Sequence, residues 1–114
     1  MRTTVVISAR LRDEYAELIR TGKKHYEIRT EPFGEAQAIR FVSAHDGSEL
    51  GIYRIKGSYP KDRRDEKQLI DMAAIGDEAF HKLFPPVEEG GPSTLWVAEI
   101  GARTTIEELI RGDQ

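Results

Sequence analysis

The sequence has no cysteine among its 114 residues and no long apolar run. Without cysteine there is no disulfide framework, no thiolate zinc site and no cysteine nucleophile. No segment approaches the ~20 apolar residues of a membrane span, and the first residues, MRTTVVISAR, lack the apolar core and cleavage site of a secretory signal. We therefore expect a cytoplasmic protein without membrane association.

An excess of positive charge is also missing. The formal net charge of −3 argues against a general nucleic-acid binder, whose phosphate contacts need a basic surface. The charges are unevenly divided, with 13 basic against 9 acidic residues in 1–64 and 4 against 11 in 65–114. This division leaves two interpretations open, a local anionic-ligand site in the first part or a chance clustering of solvated charges.

The length and the order of the predicted elements indicate one domain over residues 1–114. A chain of this size can bury roughly two-thirds of its unfolded surface in one core. The predicted order is strand, helix, strand, hairpin, helices, strand, helix. A parallel doubly wound sheet would need a helix after nearly every strand, so we predict an α+β fold instead. Its sheet is antiparallel or mixed and curls into a small barrel with flanking helices.

The element boundaries follow from periodicity and from turn residues. Asp46-Gly47 predicts the turn of a hairpin, Gly76 predicts a break between two helical segments, and Thr105 with Glu108 predicts a capping box. The predicted segments are strands at 3–9, 24–30 and 94–102, a hairpin at 38–57, an amphipathic helix from Leu11 to Gly22, helices in 65–84 and after 105, a charged loop at 58–67 and a flexible connection at 87–93.

The three histidines predict neither a metal site nor a cofactor. His25, His45 and His81 have no spacing typical of metal ligands, and His45 adjoins the predicted Asp46-Gly47 turn. We therefore expect no bound metal and no cofactor.

The stretch GKKHYEIR at residues 22–29 places charges in a predicted strand. Because side chains alternate along a strand, Tyr26 and Ile28 share the core face, and Glu27 and Arg29 share the other with His25. With Lys24 close by, the cations can take phosphate or carbonyl oxygen, and the carboxylate can accept from an amine or activate water. The alternative is a surface Glu–Arg pair worth under ~1 kcal/mol.

This stretch resembles the GxKxxExR signature of the ASCH domain family, and all four signature positions match. The segments EYAELIRTG, ELGIYRIKG and LWVAEIGA are also similar to the family's opening helix, central strand and closing strand. The resemblance implies a PUA-like β-barrel with flanking helices, a cleft beside the signature, and RNA or a modified nucleoside as ligand. It implies that Lys24, Glu27 and Arg29 line that cleft.

The first functional hypothesis is an RNA- or nucleoside-binding module. Lys23, Lys24 and Arg29 would contact phosphate, Glu27 would contact the base, and Tyr59 would provide an exposed aromatic ring for stacking. Binding of this kind weakens as salt rises.

The second hypothesis is a metal-independent hydrolase acting on an RNA phosphodiester or on the acyl-amide of a modified cytidine. One bacterial branch of ASCH-like proteins resembles an amidohydrolase that uses a lysine, a threonine and a glutamate. Lys24 matches the lysine, but Glu27 occupies the threonine position, so Glu27 would act as general base, with Lys24 or Arg29 stabilising negative charge. Glu78 is a candidate second carboxylate. The sequence leaves binding against catalysis, the ligand and the oligomeric state open.

Overall fold

The computed structural model describes residues 3–112, which form one mixed sheet with helices against it. No helix in this range is long and apolar enough to cross a membrane. The elements are β1 (Val6–Leu11), α1 (Asp13–Arg20), β2 (Tyr26–Arg29), β3 (Ala38–Ser43), β4 (Glu49–Asp62), α2 (Glu66–Ala73), α3 (Asp77–Leu83), a 3-10 turn (Val87–Glu89), β5 (Thr94–Thr104) and α4 (Ile106–Gly112).

The five strands lie in the order β1-β3-β4-β5-β2 and form a half-barrel. The β1–β3 pair is parallel, and the three other pairs are antiparallel. β1 and β2 are therefore the two edges of the sheet. The predicted α+β class with a mixed, barrel-like sheet is confirmed.

Two large apolar clusters cover opposite faces of β5. Ala98 and Ile100 belong to the cluster that includes Ile19 of α1, whereas Leu95 and Val97 belong to the cluster formed with α2 and α3. Because β2 pairs with β5, it also lies between these two layers. The charged side chains of β2 therefore lie next to apolar side chains, although the sequence predicts them on the face of the strand away from the core.

The prediction of a loop at 58–67 is wrong for residues 58–62, because β4 continues to Asp62. Tyr59 pairs with Val97 and Lys61 pairs with Leu95 of β5. The segment SYPKD has no apolar alternation of its own, so its strand conformation comes from pairing with the apolar β5, which local sequence does not reveal.

The predicted hairpin and the break between two helices are confirmed. β3 and β4 pair across a turn in which Gly47 has a φ of 75° and the Asp46 carboxylate accepts from the Ser48 backbone N–H at 3.0 Å. α2 and α3 are separated around Gly76, whose φ is 90°.

The predictions for the first strand and for the last helix need small corrections. β1 starts at Val6 and extends to Leu11, so Leu11 belongs to a strand and not to the first helix. At the last helix, the Thr105 hydroxyl accepts from the Glu108 N–H at 3.1 Å, as a capping box requires. The Glu108 carboxylate, however, accepts from the Thr104 hydroxyl at 3.0 Å.

Candidate functional site

A cleft of about 330 Å³ lies where the two edge strands of the sheet leave the half-barrel open. Arg10 on β1 lines one side, and Glu27 and Arg29 on β2 line the other. Tyr15 of α1 also contributes to the lining. The cleft is therefore bounded by elements that are distant in sequence.

The remaining wall of the cleft is mainly apolar. Ile28 of β2 and Ile75, which lies between α2 and α3, join Leu83 and Phe84 at the end of α3. Leu83 is 60% exposed, so it puts an apolar side chain at the rim of the cleft. The lining thus combines a few charged groups with aromatic and aliphatic surface, as small-molecule sites do.

A tight helix end delivers Lys24 to this cleft. Gly22 follows α1 with a φ of 77°, and the Lys23 N–H donates to the Leu18 carbonyl at 2.8 Å while the Gly22 N–H donates to Ile19 at 3.1 Å. These two bonds define a Schellman motif, in which glycine adopts the left-handed conformation without steric cost. Lys24 follows immediately and lies before β2, not within it as predicted.

Lys24 is only 4% exposed, and its Nζ donates to the carbonyl of Ala73, the last residue of α2. Burial lowers the pKa of the Lys24 ammonium, and the charge of Glu27 opposes this effect. An ammonium has three donors, so the contact with Ala73 leaves capacity for a ligand.

Glu27 is the carboxyl group of the cleft. It is partly buried, and its cross-strand neighbour Ala98 belongs to the α1-side cluster. Burial raises the pKa of Glu27 to about 7, although Lys24, the Ile28 backbone N–H and Arg29 each act to lower it. Near neutral pH this group can therefore either donate or accept a proton.

Arg29 lies at the rim and has partners away from Glu27. Its Nη2 lies 3.2 Å from a Glu31 carboxylate oxygen, and its guanidinium carbon lies 5.5 Å from the centre of the Phe33 ring. Among the described residues Arg29 pairs with Glu31 and not with Glu27, so a simple Glu27–Arg29 surface pair is not formed.

Three other candidate residues lie outside the cleft lining. Lys23 is exposed, and Glu78 is exposed in the first turn of α3. Tyr59 is 41% exposed on β4, which β5 separates from β2. Burial and the nearby Tyr26 and Glu99 raise the pKa of Tyr59.

Sequence reasoning missed several lining residues. Arg10 was overlooked because the predicted strand ended at residue 9, although an arginine at the end of a β-branched run was a usable signal. Tyr15 lies within the predicted amphipathic helix and Phe84 at the end of the helices predicted in 65–84, and neither was singled out as a site residue. Their convergence depends on tertiary contacts that no local pattern encodes.

Comparisons with known proteins support the fold. No protein-family model and no curated protein sequence matches the chain. Among solved structures, an ASCH protein from Zymomonas mobilis superimposes with a TM-score of 0.66 at 18% identity, covering 93% of this chain and 76% of that protein. The hypothetical protein PH0355 superimposes with a TM-score of 0.61 at 18% identity, covering 88% of this chain and 100% of that protein. The chain therefore has an ASCH-like fold.

Proposed function

We propose that the cleft binds a nucleoside-like ligand, either a free nucleoside or one unpaired nucleotide of an RNA. The observation that carries this proposal is the Glu27 carboxyl group, with a pKa of about 7, beside Lys24 and Arg29 in a cleft of about 330 Å³. This volume is near the lower end of the ~300–1,000 Å³ typical of ligand sites. It suits one nucleoside better than a duplex.

The chemistry of the lining matches the parts of such a ligand. Glu27 can accept from an exocyclic amine in its ionised form, and it can donate to a ring nitrogen or carbonyl when protonated. Tyr15 and Phe84 offer aromatic surface for the base. The free donors of Lys24 and the guanidinium of Arg29 suit carbonyl or phosphate oxygen. The ASCH-like fold supports the same ligand class.

If the ligand is a nucleotide within RNA, residues outside the cleft contact its neighbours. Lys23 follows the helix end and is exposed, so it can meet a flanking phosphate. Tyr59 is 41% exposed and can stack on a flanking base.

Hydrolysis is the second candidate function, and the pKa of Glu27 favours it. A general base is most effective when its pKa is near the operating pH, and the pKa of Glu27 is about 7. Glu27 would take a proton from water as its oxygen attacks the acyl carbon or the phosphorus, and would return the proton to the leaving nitrogen or oxygen. Lys24 or Arg29 would stabilise the developing negative charge.

The test is calorimetric titration of the protein with the four common ribonucleosides, an N-acylated cytidine and a short single-stranded RNA, at low and near-physiological salt. We expect at least one of them to bind, and Glu27→Gln to weaken that binding at least tenfold. Glu99→Gln is the matched control, because Glu99 lies on neighbouring β5 and does not line the cleft. Unchanged affinity in Glu27→Gln, or no binding by any compound, would overturn the proposal.

Chromatography of the same mixtures tests hydrolysis. Catalysis predicts product formation that rises through about pH 7 as Glu27 ionises and that is lost in Glu27→Gln. Product that persists in Glu27→Gln would assign the reaction to another group. Binding without product would support the binding function and contradict hydrolysis.

A further inference from the structure

We propose that Arg10 is a phosphate-binding residue of the cleft, so that the preferred ligand is a phosphorylated nucleoside or nucleotide unit. This inference rests on the proposed function and specifies its ligand class. Arg10 lies outside the signature stretch and comes from β1, on the other side of the opening from Glu27.

The balance of charge in the cleft favours an anion. Arg10, Lys24 and Arg29 supply three cationic groups, and Glu27 is the carboxyl group among the lining residues. This local excess contrasts with the net charge of −3 for the whole chain. A phosphoryl group would neutralise the excess, whereas an uncharged nucleoside would leave it in place.

The three cations differ in how much bonding capacity they retain. Lys24 is buried and donates to the Ala73 carbonyl, and Arg29 is engaged by Glu31 and the Phe33 ring. Arg10 is exposed, and its side chain forms no hydrogen bond or ion pair with any of residues 3–112.

The surroundings of β1 explain why Arg10 is free. The nearest acid in sequence, Asp13, accepts from the Ser43 hydroxyl at 2.6 Å. Arg12 lies two residues after Arg10. Its Nη1 is 3.4 Å from a Glu14 carboxylate oxygen, and its guanidinium carbon is 5.8 Å from the centre of the Tyr15 ring. Arg10 therefore presents an uncommitted planar guanidinium, which can bind two phosphate oxygens at once.

The relative positions of Arg10 and Glu27 define the orientation of the ligand. A base that contacts Glu27 on β2 extends its sugar and phosphate across the opening toward β1. The phosphoryl group has two sources, the terminal phosphate of a free mononucleotide or the diester of an RNA. Both sources present non-bridging phosphate oxygens to Arg10, and a series of monophosphates and dinucleotides distinguishes them.

The experiment is calorimetric titration of the four common ribonucleosides, their 5′- and 3′-monophosphates, and the corresponding dinucleotides. We expect a phosphorylated form to bind at least tenfold tighter than its nucleoside. Arg10→Gln should remove most of this gain and leave nucleoside affinity within about twofold, because Arg10 is exposed and does not contact the base. If affinity rises only for the monophosphates, the ligand is a free nucleotide. If affinity also rises for the dinucleotides, the ligand is RNA.

Arg12→Gln is the matched control, since Arg12 is exposed, close in sequence and absent from the cleft lining. It should retain the full gain, and thermal melting should show that both variants are folded. If phosphate gives no gain, or if the gain survives in Arg10→Gln, this inference fails while the proposed function stands. If none of these compounds binds, and neither the N-acylated cytidine nor the short RNA binds, the proposed function fails and this inference fails with it.

Discussion

Two buried cations, Lys24 and Arg63, end two different helices in the same way. Lys24 Nζ donates to the carbonyl of Ala73 at the end of α2. Arg63 donates from Nε and Nη2 to the carbonyl of Phe84, just after α3, at 3.0 and 2.8 Å. Cations at helix C-termini satisfy unpaired carbonyls and interact favourably with the helix dipole. Both residues therefore have a structural role.

The two sites differ in how the charge is neutralised. Arg63 also donates from Nη1 to Glu66 at 3.0 Å, and its guanidinium carbon lies 4.9 Å from the centre of the Phe80 ring. Lys24 forms no ion pair among the residues described, and burial lowers its pKa. Arg63 is thus a satisfied structural cation, whereas Lys24 keeps donors for a ligand and has only the charge of Glu27 to oppose the cost of its burial.

His81 extends the Arg63 site into a network. Its Nε2 lies 2.7 Å from a Glu66 carboxylate oxygen, and its Nδ1 lies 2.8 Å from the Asp77 carbonyl. The hydrogen bond to Asp77 and then the contact with Glu66 raise the pKa of His81, while Arg63 and then His81 lower the pKa of Glu66. The network holds the end of α3, which carries part of the cleft wall.

The largest expected effect is the loss of stability when Arg63 is replaced. Arg63→Met leaves the Phe84 carbonyl without its two donors and removes the pair with Glu66. We expect the free energy of unfolding to fall by about 3 kcal/mol, since hydrogen bonds to charged groups contribute about 1.5–3 kcal/mol each. Urea denaturation measures it.

Two further variants sharpen this comparison. Arg64→Met should change the free energy of unfolding by less than about 0.5 kcal/mol, because Arg64 is exposed. Lys24→Met should cost less than Arg63→Met, since it also relieves the burial of a poorly neutralised charge. Equal losses for Lys24→Met and Arg63→Met would contradict the distinction between the two cations.

The second expected effect is a pH-dependent gain in stability in Glu27→Gln. The pKa of Glu27 is about 7 in the fold against 4.5 for an unperturbed glutamate. The folded state therefore holds a proton that the unfolded chain loses between these values, so this group lowers stability as pH rises from 4.5 to 7. Glu27→Gln should be more stable than the parent protein at pH 8 by about 2 kcal/mol, a value that allows for partial exposure.

Denaturation at pH 4, 6 and 8 tests this expectation. The difference in stability between Glu27→Gln and the parent protein should grow between pH 4 and 8. A destabilised Glu27→Gln at pH 8 would show that the carboxylate is better neutralised by Lys24 and Arg29 than its raised pKa implies.

The sequence predicted the parts of the fold and of the site that depend on local patterns. Alternation along residues 26–29 correctly assigned Ile28 to the core and gave Glu27 and Arg29 a common face. The helix end at Gly22, the turn at Asp46-Gly47 and the break near Gly76 followed from backbone preferences of glycine. These features are encoded within a few neighbouring residues.

The features that the sequence did not reveal depend on distant contacts. The partner of Lys24 is a carbonyl 49 residues away, and every carbonyl in a sequence looks alike. Arg63 stands in the charged run KDRRDEK, which indicates a solvated loop, yet Arg63 is 2% exposed while Arg64 stays exposed. Which of two adjacent arginines is buried depends on how α3 packs, not on their own sequence.

The smallest expected effect concerns the backbone where each cation ends its helix. Ala74, which follows the carbonyl bound by Lys24, has a φ of 56°, whereas Phe84 has an unstrained φ of −130°. A left-handed conformation costs a non-glycine residue about 1–2 kcal/mol, and glycine avoids this cost but loses more chain entropy on folding. Ala74→Gly should therefore raise the free energy of unfolding by about 0.5 kcal/mol.

Gly22→Ala, at the C-terminal end of α1, should lower the free energy of unfolding by about 1 kcal/mol, because a methyl group there meets no atom within 4 Å and adds only backbone strain. Urea denaturation of both variants measures these shifts, and a loss of stability in Ala74→Gly would mean that the Lys24 end of α2 is held by the Ala74 side chain and not strained by it.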